Sequence, residues 1–168
     1  MADAPGLWGA YAQYMYLHPT SIVHKVDTSL PPELAVMFTP LGAGFRWGVE
    51  MPGTGPGDTV VILGPGQRGL SCVLACRQAG ASKIIVTGLA ADHQKLELAR
   101  AFGADHTIDV DNENAVQRVR ELTDGEGARV VVDVSSYATQ PIVAAVDMAS
   151  QGGVVMLCLL YTSDAADE

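Results

Sequence analysis

The chain has 168 residues, room for one domain of ordinary size and too few for two. Its formal net charge is -9 with no basic cluster, which argues against nucleic acid or an anionic membrane surface as a partner. At 48% hydrophobic and 17% charged it can build a core, and its longest apolar run, Val154 to Leu160, falls far short of the ~20 residues of a membrane span.

The opening residues, MADAPGLWGA, lack the basic flank and apolar stretch of a secretion signal. Three cysteines without a Cys-x-x-Cys pair describe neither a disulfide framework nor a zinc ribbon, so a cytoplasmic location is expected. The first 57 residues are richer in proline, glycine and aromatics than the rest, and predict the edge of a neighbouring lobe plus one helix, Pro32 to Val49. Two prolines and three glycines between Pro52 and Gly57 then make a turn.

From Asp58 onward, strand and helix patterns alternate. Thr59 to Leu63 (TVVIL) has the length and continuous apolarity of a strand buried on both faces. Arg68 to Gln78 predicts a helix with Leu70, Val73, Leu74 and Arg77 on one face, closed by Gly80. Lys83 to Thr87 is the second strand, and Asp92 to Phe102 the second helix of the alternation. There Asp92 is the expected N-cap, Leu96, Ala99 and Phe102 face inward, and Gly103 is the stop. His106 to Val110, Arg129 to Val134 and Val154 onward predict three more strands. Helices at Asn114 to Leu122 and Pro141 to Ala149 connect them. Such alternation with short connections implies right-handed βαβ units and a parallel, doubly wound α/β sheet.

The first strand runs into Gly64-Pro65-Gly66-Gln67-Arg68-Gly69, a G-x-G-x-x-G loop between a strand and a helix. In that context Gly64 permits the tight turn, Gly66 lets the backbone approach a pyrophosphate, and Gly69 lets helix and strand pack closely. Backbone N–H groups and the helix dipole would hold the phosphates, with Gln67 and Arg68 completing the loop; an exposed arginine at a helix start needs no ligand to explain it. The acid that binds the ribose 2′-hydroxyl of NAD belongs about 20 residues on, where the chain has Gly88-Leu89. A missing acid removes the repulsion that excludes a 2′-phosphate, which tips the cofactor toward NADP without excluding NAD. His93 and Lys95 are the nearest cations, and either is equally ordinary as helix surface.

Five blocks together resemble the zinc-type medium-chain dehydrogenase/reductase family: GAYAQYMYL (9–17), KVDTSLPPELA (25–35), GPGDTVVILGPGQRGL (55–70), KLELARAFGADHTIDV (95–110) and GARVVVDVSS (127–136). The resemblance runs over residues 7–157 and is nearest to threonine and polyol dehydrogenases. It implies a Rossmann-type sheet over 51–157, truncated after the fifth strand, behind a remnant of an all-β (GroES-like) catalytic lobe in 1–50. It also implies zinc polarising a substrate oxygen while hydride passes to nicotinamide. The family's Cys and His-Glu zinc ligands would lie in the lobe absent before Met1. Where polyol-type members have Glu-Pro-Leu, this chain has Thr39-Pro40-Leu41, and threonine is a poor zinc ligand. By resemblance Val134 and Ser135 lie along the nucleotide, and the Thr39 hydroxyl touches nicotinamide or substrate, although a structural role in its helix explains Thr39 equally well.

The end of the chain departs from the family. CLLYTSDAADE, residues 158–168, is what one frame of a transposase mosaic-end sequencing adapter encodes, and is read as a translated library adapter. The chain is thus expected to be the cofactor-binding fragment of an oxidoreductase acting on a small-molecule alcohol or carbonyl, with a parent that forms homo-oligomers through a missing sixth strand. A zinc-free NADPH quinone or enoyl reductase, favoured by Thr39 and Gly88, and a non-catalytic nucleotide-binding module are the alternatives. An S-adenosylmethionine-dependent methyltransferase would want an acid where Gly88 stands. Cys72 and Cys76, four apart on a helix, read as buried core thiols rather than metal ligands. His18, His24, His93 and His106 show no ligand spacing, Asp133 ends a strand at the ligand-binding edge, and Asp109 and Asp111 read as a solvated turn.

Overall fold

The computed structural model describes residues 11–135 and 140–158, so the stretch 159–168 within the expected adapter, the opening ten residues and Ser136 lie outside the described residues. One compact unit ends at Ala35 and a second begins at Val36. Residues 11–35 contain turns, extended segments and one helical turn, α1 (Pro32–Ala35), and no strand among the described residues.

The helix expected over Pro32 to Val49 is interrupted at Val36 and Met37, and α2 (Phe38–Phe45) starts afresh. Pro40 explains the break. It has no N–H for the Val36 carbonyl, so it fits only in a first helical turn, where amides need no intrahelical partner. Restarting at Phe38 puts Pro40 in that turn, and Leu41 N–H makes the next bond, 3.0 Å to the Met37 carbonyl. From Arg46 to Glu50 the ladder widens into a π-type turn, with Met51 N–H 2.9 Å from the Arg46 carbonyl.

The second unit then alternates as the sequence predicts. Its elements are β1 (Thr59–Leu63), α3 (Gln67–Gln78), β2 (Lys83–Gly88), α4 (His93–Ala101), β3 (His106–Asp109), α5 (Ala115–Leu122), β4 (Ala128–Asp133), α6 (Gln140–Met148) and β5 (Ala149–Leu157). The strands pair in parallel in the order β3-β2-β1-β4-β5. The continuous apolarity of the central strands has its reason in the two cores. Val60, Ile62, Ile84, Val86, Val130 and Val132 face one layer, with Val73 and Leu96. Val61, Leu63, Ile85, Ile108 and Val131 face the other, with Val119 and Met148. In β5 the stretch Val154–Leu157 continues in register with Val130–Asp133, after an irregularity between Ala128 and Val130. No described helix is long and apolar enough to cross a membrane.

Helix α3 differs from its expected facing. Leu74 is exposed, whereas Ser71, Cys72, Val73 and Cys76 are buried. The reason is that α3 packs on the sheet with one face and on α2 and the π-type turn with another, and that second contact selects small residues. A Cβ built on Gly44 would lie 2.5 Å from the Ser71 carbonyl carbon, and one on Gly48 would lie 3.2 Å from Cys76 Sγ. The expectation of buried core thiols holds. Burial pushes the Cys76 thiol up to about 12 and the Cys72 thiol higher still, which leaves both protonated and inert at neutral pH.

Arg77, at the end of α3, ties two connections together, the one before β2 and the one before β3. It donates to the Gly103 carbonyl (Nε, 3.0 Å) and the Ala81 carbonyl (Nη1, 3.0 Å), and pairs with Asp105 at 2.6 Å. Asp105 in turn accepts from Ile84 N–H at 2.7 Å, at the start of β2. Because the side chain is 38% exposed, water replaces part of what is lost on truncation. Arg77→Ala is expected to cost about 1–2 kcal/mol, read as a lower urea midpoint at unchanged m-value.

Candidate functional site

In this strand order the chain leaves β1 toward β2 on one side and later returns to β4 on the other. The crossover helices therefore part at the carboxyl ends of β1 and β4, which is where open α/β sheets bind ligands. A cleft of about 640 Å³ lies there, with walls that include the loop after β1, the ends of β2 and β4, and the start of α6.

The glycine loop is built as its spacing predicts. Gly64 has φ +102°, a left-handed backbone that turns the chain out of β1, and its N–H bonds the Thr87 carbonyl at 3.1 Å. Gly66 is the N-cap of α3 with extended backbone, and no side chain caps the helix, so the first-turn amides are available to an anion. A Cβ on Gly66 would meet nothing within 4 Å, whereas one on Gly69 would fall 1.9 Å from the Gly64 carbonyl oxygen. The first glycine thus makes the turn, the second leaves open space beside the cleft, and the third permits the close crossing of helix and loop.

Gly64, Gly66, Gly88, Leu89, Val134 and Ser135 all line this one cleft. Gln67, Arg68 and Gly69 lie just behind it in the first turn of α3. The Arg68 guanidinium lies over the Trp47 ring, 5.7 Å from its centroid, so the loop's cation is held by a side chain of the π-type turn. Thr39 is an exposed residue of α2 outside the cleft lining. Asp133, 6% exposed, accepts from both the N–H (2.9 Å) and the hydroxyl (2.6 Å) of Ser135, fixing the turn after β4.

Sequence reasoning missed the contribution of α6, whose Gln140 and Pro141 reach the cleft, because no local pattern says where a crossover helix begins relative to another strand. Asp92 and Lys95 also line it. Asp92, expected as the cap of α4, sits at that N-cap position without capping it. Its carboxylate instead accepts from Leu89 N–H at 3.3 Å, closing a 3-10 turn over Ala90–Asp92, and pairs with Lys95 Nζ at 2.6 Å. The Lys95 ammonium, seconded by the Leu89 amide, holds the Asp92 carboxyl below its ordinary value. The structure also explains the glycine where an acid is usual: a Cβ on Gly88 would lie 2.8 Å from Pro65 Cγ and 3.1 Å from Leu96 Cδ2. Among the described residues no group of three or more His, Cys, Asp or Glu could hold a metal ion, so the ligands present do not fit a zinc site.

Comparison with known proteins agrees with this architecture. Residues 69–165 match the family model described as zinc-binding dehydrogenase. A protein of Mycobacterium tuberculosis (strain CDC 1551 / Oshkosh) named as a probable alcohol dehydrogenase is 48% identical over 154 residues, 91% of this chain and 42% of that protein. The L-threonine 3-dehydrogenase of Bacillus licheniformis is 31% identical over 147 residues, 88% of this chain and 41% of its own length. The chain spans about two fifths of the length of these relatives. Among solved structures, the apo zinc-dependent alcohol dehydrogenase 2 of Streptococcus pneumonia superposes with a TM-score of 0.74 at 29% identity, over 82% of this chain and 39% of that one. A Sinorhizobium meliloti 1021 structure bound to NADP gives a TM-score of 0.72 at 29% identity, over 82% and 40%. With the sheet order, the glycine loop and these matches in agreement, the chain belongs to the zinc-binding dehydrogenase family.

Proposed function

We propose that the chain forms the dinucleotide-binding part of an NAD(P)-dependent oxidoreductase that moves hydride between an alcohol or carbonyl substrate and nicotinamide. The observation that carries this reading is the uncapped start of α3 behind Gly64 and Gly66, opening on a cleft at the reversal point of the sheet. The first-turn amides of α3 hold the pyrophosphate, with no side chain competing for them. The cleft edge at Gly88 and Leu89 receives the adenosine ribose. Val134, bonded through its N–H to the Leu63 carbonyl, and Ser135, fixed by Asp133, line the path toward the nicotinamide end. When bound, the nicotinamide supplies the hydride chemistry; what these residues do is bind, orient and screen it from water. Support comes also from the dehydrogenase names of the relatives and from the NADP-bound structural neighbour.

Titrating the 168-residue chain into NADH while following nicotinamide fluorescence tests the reading. The expected result is a saturable rise reversed by excess 5′-AMP. A flat titration for both NADH and NADPH at millimolar concentration would remove it.

A further inference from the structure

The corner where the adenosine ribose would lie carries an arrangement that the Gly88 position alone does not suggest. β2 and β3 run in register with Gly88 opposite Asp109, and Val110 N–H bonds the Gly88 carbonyl at 3.0 Å. The chain leaving β3 therefore runs beside the chain leaving β2. Asp109 Oδ1 accepts the Asp111 N–H at 3.0 Å, which fixes the turn, and Asp111 Oδ2 accepts the Ala90 N–H at 2.8 Å. One residue earlier, the Leu89 N–H is taken by Asp92. The two amides that follow Gly88, natural donors for a phosphate at this edge, are thus each occupied by a carboxylate of the chain. The corner's lysine, Lys95, is itself tied to Asp92 at 2.6 Å, and the remaining nearby cation candidate, His93, lies on the exposed start of α4.

Resting on the dinucleotide reading above, we infer that discrimination between NAD and NADP has moved in this chain from the end of β2 to Asp111 and Asp92, which exclude a 2′-phosphate and select NAD. A side chain at the usual position would have to displace Pro65 and Leu96, and the charge at this corner comes instead from the turns after β2 and β3. A 2′-phosphate would have to displace two carboxylates from backbone amides and then sit beside both. A 2′-hydroxyl has no charge to repel and can donate to either carboxylate. The glycine that tips the sequence toward NADP is, on this geometry, a packing requirement of Pro65.

Asp92→Asn and Asp111→Asn test the inference, because asparagine keeps an oxygen acceptor for each amide while removing the charge. NADH and NADPH affinities of the 168-residue chain and of the single and double variants are compared by fluorescence titration, with a thermal melt to check each fold. An unscreened charge of like sign a few ångströms from a phosphate in a water-like medium costs about fivefold in affinity. The wild-type chain should therefore favour NADH by about tenfold or more, each single variant should narrow the ratio about fivefold, and the double variant should lose most of it. If the double variant melts early, the Asp111→Asn ratio alone decides. A wild-type preference for NADPH, or a ratio that neither variant moves, overturns the inference and leaves dinucleotide binding standing. Failure to bind either nucleotide overturns both.

Discussion

Gly69→Ala is expected to destabilise the second unit by about 3 kcal/mol or more and to abolish nucleotide binding with it. The added methyl would be placed 1.9 Å from the Gly64 carbonyl oxygen and 3.1 Å from its carbon, both backbone atoms. Neither can yield cheaply. Gly64 is held in a left-handed turn with its N–H bonded to Thr87, and the next residue beyond the loop's far wall, Val134, bonds Leu63 at 3.1 Å. Moving α3 away from the loop instead would press it into α2, where a Cβ built on Gly44 would already lie 2.5 Å from Ser71, so that face has no room to give. A chain of this size loses about 2–4 °C in melting temperature per kcal/mol, so the drop should be near 10 °C. A calorimetric trace matching wild type would show that helix and loop are not packed as described.

Gly66→Val should separate binding from folding. The backbone here, φ −68° and ψ 179°, is one that any residue adopts, and a Cβ would meet nothing within 4 Å. Stability is expected to stay within about 0.5–1 kcal/mol of wild type, as for a substitution without clash or cavity. Binding is expected to fall by about 100-fold, because the branched side chain takes the space a pyrophosphate needs against the first-turn amides of α3. The comparison uses one melt and one NADH titration on each protein. Unchanged affinity would mean that the cleft binds its ligand elsewhere than at the glycine loop.

The contrast between these two glycines shows how much of the site was legible before the fold was known. Spacing alone distinguished a turn glycine, an approach glycine and a packing glycine, because a loop between a strand and a helix imposes those three demands locally. The same holds for β1, whose observed bounds, Thr59–Leu63, coincide with its apolar run. Local reading failed where a second neighbour intervened. On α3 the helical spacing grouped Leu74 with Leu70 and Val73, but α2 and the π-type turn press on another side, where Ser71, Cys72 and Cys76 are buried, and Leu74 is left exposed. Over Pro32 to Val49 it ran a single helix past Pro40, whose missing N–H forces a restart.

The sequence by itself determined the alternation of strands and helices, the parallel doubly wound sheet and the phosphate loop. Each follows from the period of apolar residues and from backbone freedom over a few neighbouring positions. Only the tertiary structure decided which crossover helix completes the cleft, that a side chain at position 88 would collide with Pro65 and Leu96, and that Asp111 reaches the Ala90 amide. Those facts depend on register between strands distant in sequence, and hydrophobic period says which face a residue takes without saying which residue stands beside it.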